Sequence, residues 1–204
     1  MDIILDDIGK RYTTGWVFKN ISHHLTQGQH LSITGTNGSG KSTLLQIIAG
    51  FLSYTKGEVT YKHEGKEISR DNIYKYCGIS AAYTELDEEL TVTEIFEHYK
   101  VFKKMLVTDS NAFLDLVDLK KEKNKRIAQF SSGMKQRLNL GLAFVMDTPL
   151  LLLDEPTSFL DKGRKAWYAE MVQAYALNKI LVIASNDDFD IQTCTANIFL
   201  DVGR

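Results

Sequence analysis

Gly35-Thr36-Asn37-Gly38-Ser39-Gly40-Lys41-Ser42 matches the pattern G-x-x-x-x-G-K-[ST] at every fixed position. Before it, His30-Leu31-Ser32-Ile33-Thr34 alternates and is rich in strand formers; after it, Thr43-Leu44-Leu45-Gln46-Ile47-Ile48-Ala49 is an apolar run of helical character. Strand, glycine loop and helix in that order separate a phosphate-binding loop (P-loop) from a chance match. The glycines let successive backbone N–H groups turn inward with no Cβ in the way, and the helix adds the positive end of its dipole to a polyphosphate. Asn37, Gly38, Ser39, Gly40 and Thr43 are read as the cradle, Lys41 as the point charge on the outer phosphates, and Ser42 as a hydroxyl ligand to Mg²⁺. The alternative, a glycine-rich turn that binds nothing, leaves the flanking strand and helix without a reason.

Downstream, Leu150-Leu151-Leu152-Leu153 runs straight into Asp154-Glu155-Pro156, the continuous apolar pattern of a strand buried on both faces. Adjacent carboxylates at such a strand end suit a phosphate site. Asp154 holds Mg²⁺ through water, and Glu155 polarises the water that attacks the terminal phosphate. Taken alone, the same pair is also an acidic turn. Between these two sites lies Phe130-Ser131-Ser132-Gly133-Met134-Lys135-Gln136-Arg137, a small-residue stretch opening into a helix. Ser131 and the backbone N–H groups of Ser132 and Gly133 make a second anion-binding helix start, although Ser-Ser-Gly is equally an ordinary N-cap.

The rest of the chain fits around these three points. Residues Ile3 to Tyr12 and Val17 to Leu25 read as an antiparallel pair, with further short strands at 57–61 and 76–80. From Thr93 to Val117 the apolar spacing is helical, and Met134 to Met146 continues that lobe. Lys162 to Leu177 reads as a helix, 179–184 as a buried strand, Asp187 to Cys194 as a helix and Asn197 to Val202 as a closing strand. The expected fold is α/β: a P-loop core with a mostly parallel sheet, an N-terminal antiparallel β subdomain and an inserted α-helical subdomain. At 204 residues one domain is expected over 1–204, with the helical insertion at roughly 90–146.

Composition narrows the function classes. Lys+Arg 24 against Asp+Glu 26 leaves a net charge of −2, so no global field points to nucleic acid. Cys77 and Cys194 lie far apart without metal-ligand spacing, which suits a reducing compartment. No uncharged apolar run is long enough to span a bilayer, and the acidic N-terminus lacks a basic leader, so a soluble intracellular chain is expected.

The order of P-loop, serine-glycine helix start and Asp-Glu strand resembles the ATP-binding cassette (ABC) ATPase family along essentially the whole chain. Residues 130–134 resemble that family's LSGGQ signature, Thr157-Ser158-Phe159-Leu160-Asp161 its D-loop, and Leu90-Thr91-Val92 its LTV segment. The resemblance implies that Tyr12 stacks on adenine and that Asp161 acts at the cassette interface. It further implies a head-to-tail homodimer or heterodimer of cassettes sandwiching ATP and Mg²⁺, each nucleotide held by the P-loop of one copy and Ser131, Ser132 and Gly133 of the other.

Two positions depart from the family pattern. Ala82 stands where the Q-loop glutamine belongs, with Glu85 the nearest substitute, and Asn186 stands where the switch histidine belongs. A methyl group cannot ligate a cation, and an amide cannot titrate. Glu155 and Asn186 are thus the catalytic candidates in a cassette expected to bind MgATP and hydrolyse it slowly. The resemblance implies the ATP-hydrolysing subunit of a transporter, exporter-like, cytoplasmic and peripheral on the inner face of the cell membrane, with a separate integral-membrane partner docking in an apolar groove near Tyr83 to Leu90. A soluble non-transport cassette, and a regulatory cassette that barely hydrolyses ATP, are the alternatives.

Overall fold

Two strands joined by Thr13-Thr14, β1 (Asp2–Tyr12) and β2 (Gly15–Thr26), open the chain in the computed structural model, which describes residues 1–201. β3 (His30–Gly35) leads through the glycine loop into α1 (Lys41–Ile48). β4 (Lys56–His63) and β5 (Lys66–Ile68) follow, and with the first two strands they make an antiparallel sheet in the order β2-β1-β4-β5. β5 is too short to have left a period in the sequence.

After β6 (Cys77–Ser80) come α2 (Val92–Phe102), α3 (Ser110–Leu116) and α4 (Ser132–Val145). The continuous helical pattern expected over Thr93 to Val117 is therefore two helices. The break has a tertiary cause: Met105 bridges to Met146 across antiparallel backbone, and the Leu106 N–H donates to the Val145 carbonyl at 2.7 Å. Asp109 then caps α3 by accepting from the Ala112 N–H at 2.7 Å. At the other end, Thr91 and Glu94 form a capping box that starts α2 where the LTV segment ends.

β7 (Leu150–Asp154), α5 (Lys162–Tyr175), β8 (Ile180–Ala184), α6 (Asp188–Ile191) and β9 (Ala196–Leu200) complete the described chain; the expected last strand residue, Val202, lies outside the described residues. The second sheet runs β6-β7-β8-β3-β9 with every pairing parallel. Leu150 and Leu152 enter the core around α1, whereas Leu151 and Leu153 enter the core against α4 and α5. Burial on both faces is why the strand is leucine without interruption, each side chain contributing roughly 1.5–3 kcal/mol. A separate core, including Phe96, Phe113, Ile127 and Leu138, holds the helical lobe.

The sheet decides where chemistry sits. Ile33 on β3 and Asp154 on β7 both pair with Ala184 of the intervening β8, so three strands end at one level. The glycine loop, the Asp154-Glu155 pair and the Ser185-Asn186 pair therefore emerge side by side at the carboxyl edge.

One close approach fixes α4 on the sheet. A Cβ placed on Gly78 of β6 would lie 2.6 Å from the Ala143 carbonyl oxygen of α4, closer than any real contact. Gly78→Ala is expected to cost about 1–3 kcal/mol through overpacking, read as a lowered urea midpoint. An unchanged midpoint would contradict this packing.

Candidate functional site

The loop between β3 and α1 is shaped by close backbone contacts. Gly40 has φ 100°, and a Cβ there would sit 2.4 Å from Val17 Cγ1, so only glycine fits. Lys41 is 7% exposed; its ammonium donates to the Gly35 carbonyl at 2.9 Å and lies 4.0 Å from Glu155 Oε1. An open cleft of about 470 Å³ is lined by Asn37, Gly38, Gly40, Lys41, Ser42 and Thr43 of the loop together with Tyr12 and Glu155. Ser39 is buried instead, and its hydroxyl has no hydrogen-bond partner. Tyr12 is half exposed beside the cleft, with the Lys10 ammonium 4.9 Å from its ring centroid.

Asp154 is buried, and its Oδ1 has no hydrogen-bond partner. Burial pushes its carboxyl above the usual range, while the Ser42 hydroxyl against it and the Lys41 charge pull the other way. An orphaned anionic oxygen beside a hydroxyl is an oxygen donor set that suits a hard divalent cation. Among the described residues no group of three or more His, Cys, Asp or Glu could hold a metal, so such a cation would complete its shell with phosphate and water oxygens. Glu155 sits next in line at φ 46°, a left-handed conformation rare outside glycine. Burial raises its carboxyl too, and its Oε2 lies 3.2 Å from the Ser185 hydroxyl.

Asn186 is already engaged: its Oδ1 accepts the Gly35 N–H at 3.0 Å, tying the end of β8 to the start of the glycine loop. Ala82 is exposed, and Glu85, the expected substitute for the missing glutamine, is exposed toward grooves outside the cleft. Tyr83 is the neighbour turned inward. Its hydroxyl is buried without a partner, and its pKa is raised by burial and then by the Asp154 charge. The Thr84 hydroxyl, which takes the Ala81 N–H at 3.0 Å and an amide N–H of Asn139 at 2.8 Å, pins that turn. Nothing local in the sequence marks Tyr83, since its orientation depends on α4.

The serine-glycine helix start lies elsewhere. Ser131 caps α4, taking the Met134 N–H at 3.3 Å, and Ser132 lines a separate groove of about 420 Å³ with Ala82, Glu85 and Phe159. Gly133 abuts the Phe159 carbonyl, and Asp161 caps α5 by accepting the Arg164 N–H at 2.9 Å. None of Ser131, Ser132, Gly133 and Asp161 lines the cleft around Lys41. A further groove of about 500 Å³ lies between the 85–90 segment and α2, lined by Leu90, Ile95, Tyr99 and Phe102 among others, with Phe102 70% exposed.

Known proteins resemble this arrangement. A family model described as ABC transporter matches residues 18–158. The chain is 31% identical over 191 residues to the cytochrome c biogenesis ATP-binding export protein CcmA of Agrobacterium fabrum, covering 91% of this chain and 88% of that protein. It is 29% identical to the lantibiotic transport ATP-binding protein SrtF of Streptococcus pyogenes, covering 89% of this chain and 78% of the relative. Among solved structures, the dimeric ABC transporter cassette MJ0796 superposes with a TM-score of 0.82 at 25% identity, covering 99% of this chain and 97% of that one. The same cassette bound to ADP and Pi gives 0.83.

Asp154 carries a testable signature. Folding raises its pKa, so ionisation costs stability as pH climbs from the ordinary carboxylate range through the raised value. Asp154→Asn removes that cost, and the nucleotide-free variant is expected to melt higher than the parent at neutral pH, the advantage fading below the ordinary carboxylate range. Differential scanning fluorimetry across pH reads this directly. A lower melting temperature at neutral pH would show that existing contacts already satisfy the carboxylate.

Proposed function

This chain belongs to the ABC transporter family, and from that premise we propose that it is the ATP-hydrolysing subunit of a transporter, working as a pair of cassettes that close on ATP. Residues 1–204 act as one cassette, with the helical subdomain at 90–146 inserted in the P-loop core. The observation that carries this reading is the separation, within one chain, of two phosphate-suited helix starts: α1 opens on the Lys41 cleft, while the start of α4 lines a separate groove. One copy leaves half of each site unused. A second copy, or a close relative, placed head to tail brings Ser131, Ser132 and Gly133 over the triphosphate in the first. The dimeric state of MJ0796 supports this.

In the cleft, Tyr12 stacks on the adenine and Asn37, Gly38, Ser39, Gly40 and Thr43 wrap the phosphates with backbone N–H groups. Lys41 exchanges the Gly35 carbonyl and Glu155 for the outer phosphates, which frees the Glu155 carboxylate. Ser42 and Asp154 would hold Mg²⁺, Asp154 through water, and the ion would supply positive charge against the phosphates. Glu155 polarises the attacking water, and Asp161 acts across the interface between cassettes. Turnover is slow because Ala82 brings no ligand and Asn186, whose oxygen accepts the Gly35 N–H, has only a neutral amide to offer a phosphate where a histidine could carry charge. These two positions also favour the second reading, a regulatory cassette that binds ATP and barely hydrolyses it.

No helix among the described residues is long and apolar enough to cross a membrane. The transport step belongs to a separate integral-membrane subunit, which docks on the groove between the 85–90 segment and α2 and holds the cassette at the inner face of the membrane. Export is favoured because a relative matched along most of its length is an ATP-binding export protein.

Lys41→Ala removes a charge-assisted contact to phosphate worth about 1.5–3 kcal/mol, so affinity for a fluorescent ATP analogue is expected to fall about tenfold or more. Glu155→Gln is expected to bind as tightly as the parent and lose turnover. Unchanged affinity in the first variant, or surviving hydrolysis in the second, would overturn the assigned roles.

A further inference from the structure

Ser185, fully buried at the end of β8, places one hydroxyl between two carboxylates. Its Oγ lies 2.6 Å from Asp190 Oδ2 and 3.2 Å from Glu155 Oε2, and it accepts the Asp187 N–H at 3.1 Å. A hydroxyl has a single hydrogen to give. The shorter contact takes it in this state, and a small rotation transfers it to Glu155.

Asp190 has no exposed role that would account for it. It is 2% exposed, its N–H donates to the Asp187 carbonyl at 2.9 Å, and its own carbonyl accepts from the Tyr168 hydroxyl at 3.4 Å. The buried Thr157, two residues beyond Glu155, faces the same carboxylate. A buried carboxyl is costly unless hydrogen-bonded, and here its short hydrogen bond goes to the one hydroxyl that also reaches Glu155. Asn186, the next residue, brings a neutral amide whose oxygen is held by the Gly35 N–H, so it supplies no titrating group beside Glu155.

We propose that Ser185 is a positioning residue that holds the Glu155 carboxylate at the cleft, with Asp190 fixing the hydroxyl from its other side. This rests on the reading of Glu155 as the group that polarises water. Without the hydroxyl, the Glu155 and Asp190 carboxylates face each other with no hydrogen between them, and Glu155 turns away.

The test is MgATP turnover and nucleotide affinity measured together on the full chain for Ser185→Ala, Ser185→Thr, Asp190→Asn and Glu155→Gln. Ser185→Ala is expected to lower kcat about tenfold, the worth of one hydrogen bond, with affinity within about twofold; Ser185→Thr, and Asp190→Asn, whose amide can donate to the Ser185 oxygen and leave the hydroxyl hydrogen to Glu155, are expected to keep most of the rate. Full turnover in Ser185→Ala, or loss of rate, affinity and melting temperature together, would overturn the proposal. Turnover surviving in Glu155→Gln would instead overturn the underlying reading of Glu155. Should basal turnover be too slow to measure, a crystal structure of Ser185→Ala decides: the Glu155 carboxylate is expected to leave its place, and finding it unmoved would refute the inference.

Discussion

A buried ammonium held between a backbone carbonyl and a carboxylate is the contact on which the rest of this structure turns. Lys41 sits 2.9 Å from the Gly35 oxygen and 4.0 Å from Glu155, and it joins the loop after β3 to the loop after β7 across the end of β8. A buried Lys needs compensating partners, and these are ones it can exchange. Around it the site is left short of hydrogen bonds: Ser39 Oγ, Asp154 Oδ1 and the Tyr83 hydroxyl are all buried without partners. Orphaned groups of this kind concentrate where a ligand completes the structure, and they oppose stability until it arrives.

The parallel sheet supplies the stability that such a site lacks. Leucines on both faces of β7 and the aliphatic run of β8 are fully buried, so the strand ends that carry Asp154, Glu155, Ser185 and Asn186 are held by packing on either side. Glu155 at φ 46° shows what that rigidity permits, since an unfavourable backbone persists only where its surroundings dictate it. The serine-glycine helix start is anchored differently, through a groove shared with the 81–85 turn and Phe159. That groove links it to the segment where a membrane partner is proposed to dock.

Much of this was legible in residue order because the signals are local. The loop 35–42, the capping box at Thr91 and Glu94 and the unbroken leucines of β7 each declare themselves within a few residues. What escaped depends on contacts between distant residues. The break between α2 and α3 comes from the Met105–Met146 bridge, which no periodicity in 93–117 encodes. Tyr83 is turned inward by a turn that Asn139 of α4 holds, so Glu85, exposed outside the cleft, was the wrong neighbour to expect there. Asn186 stood out as a departure from the family pattern, but that its oxygen accepts from Gly35 is visible only once β8 and β3 lie side by side.

The proposed pairing of cassettes is the step on which the proposed transport role and the proposed role of Ser131 both depend. Sedimentation velocity of the Glu155→Gln chain, with and without MgATP, addresses it most directly. The expected result is a single-cassette mass without nucleotide and a two-cassette mass with it, lost when Ser131→Arg is added while nucleotide affinity of the separate cassette is kept. A single-cassette mass at saturating MgATP, or a dimer indifferent to Ser131→Arg, would contradict the shared site.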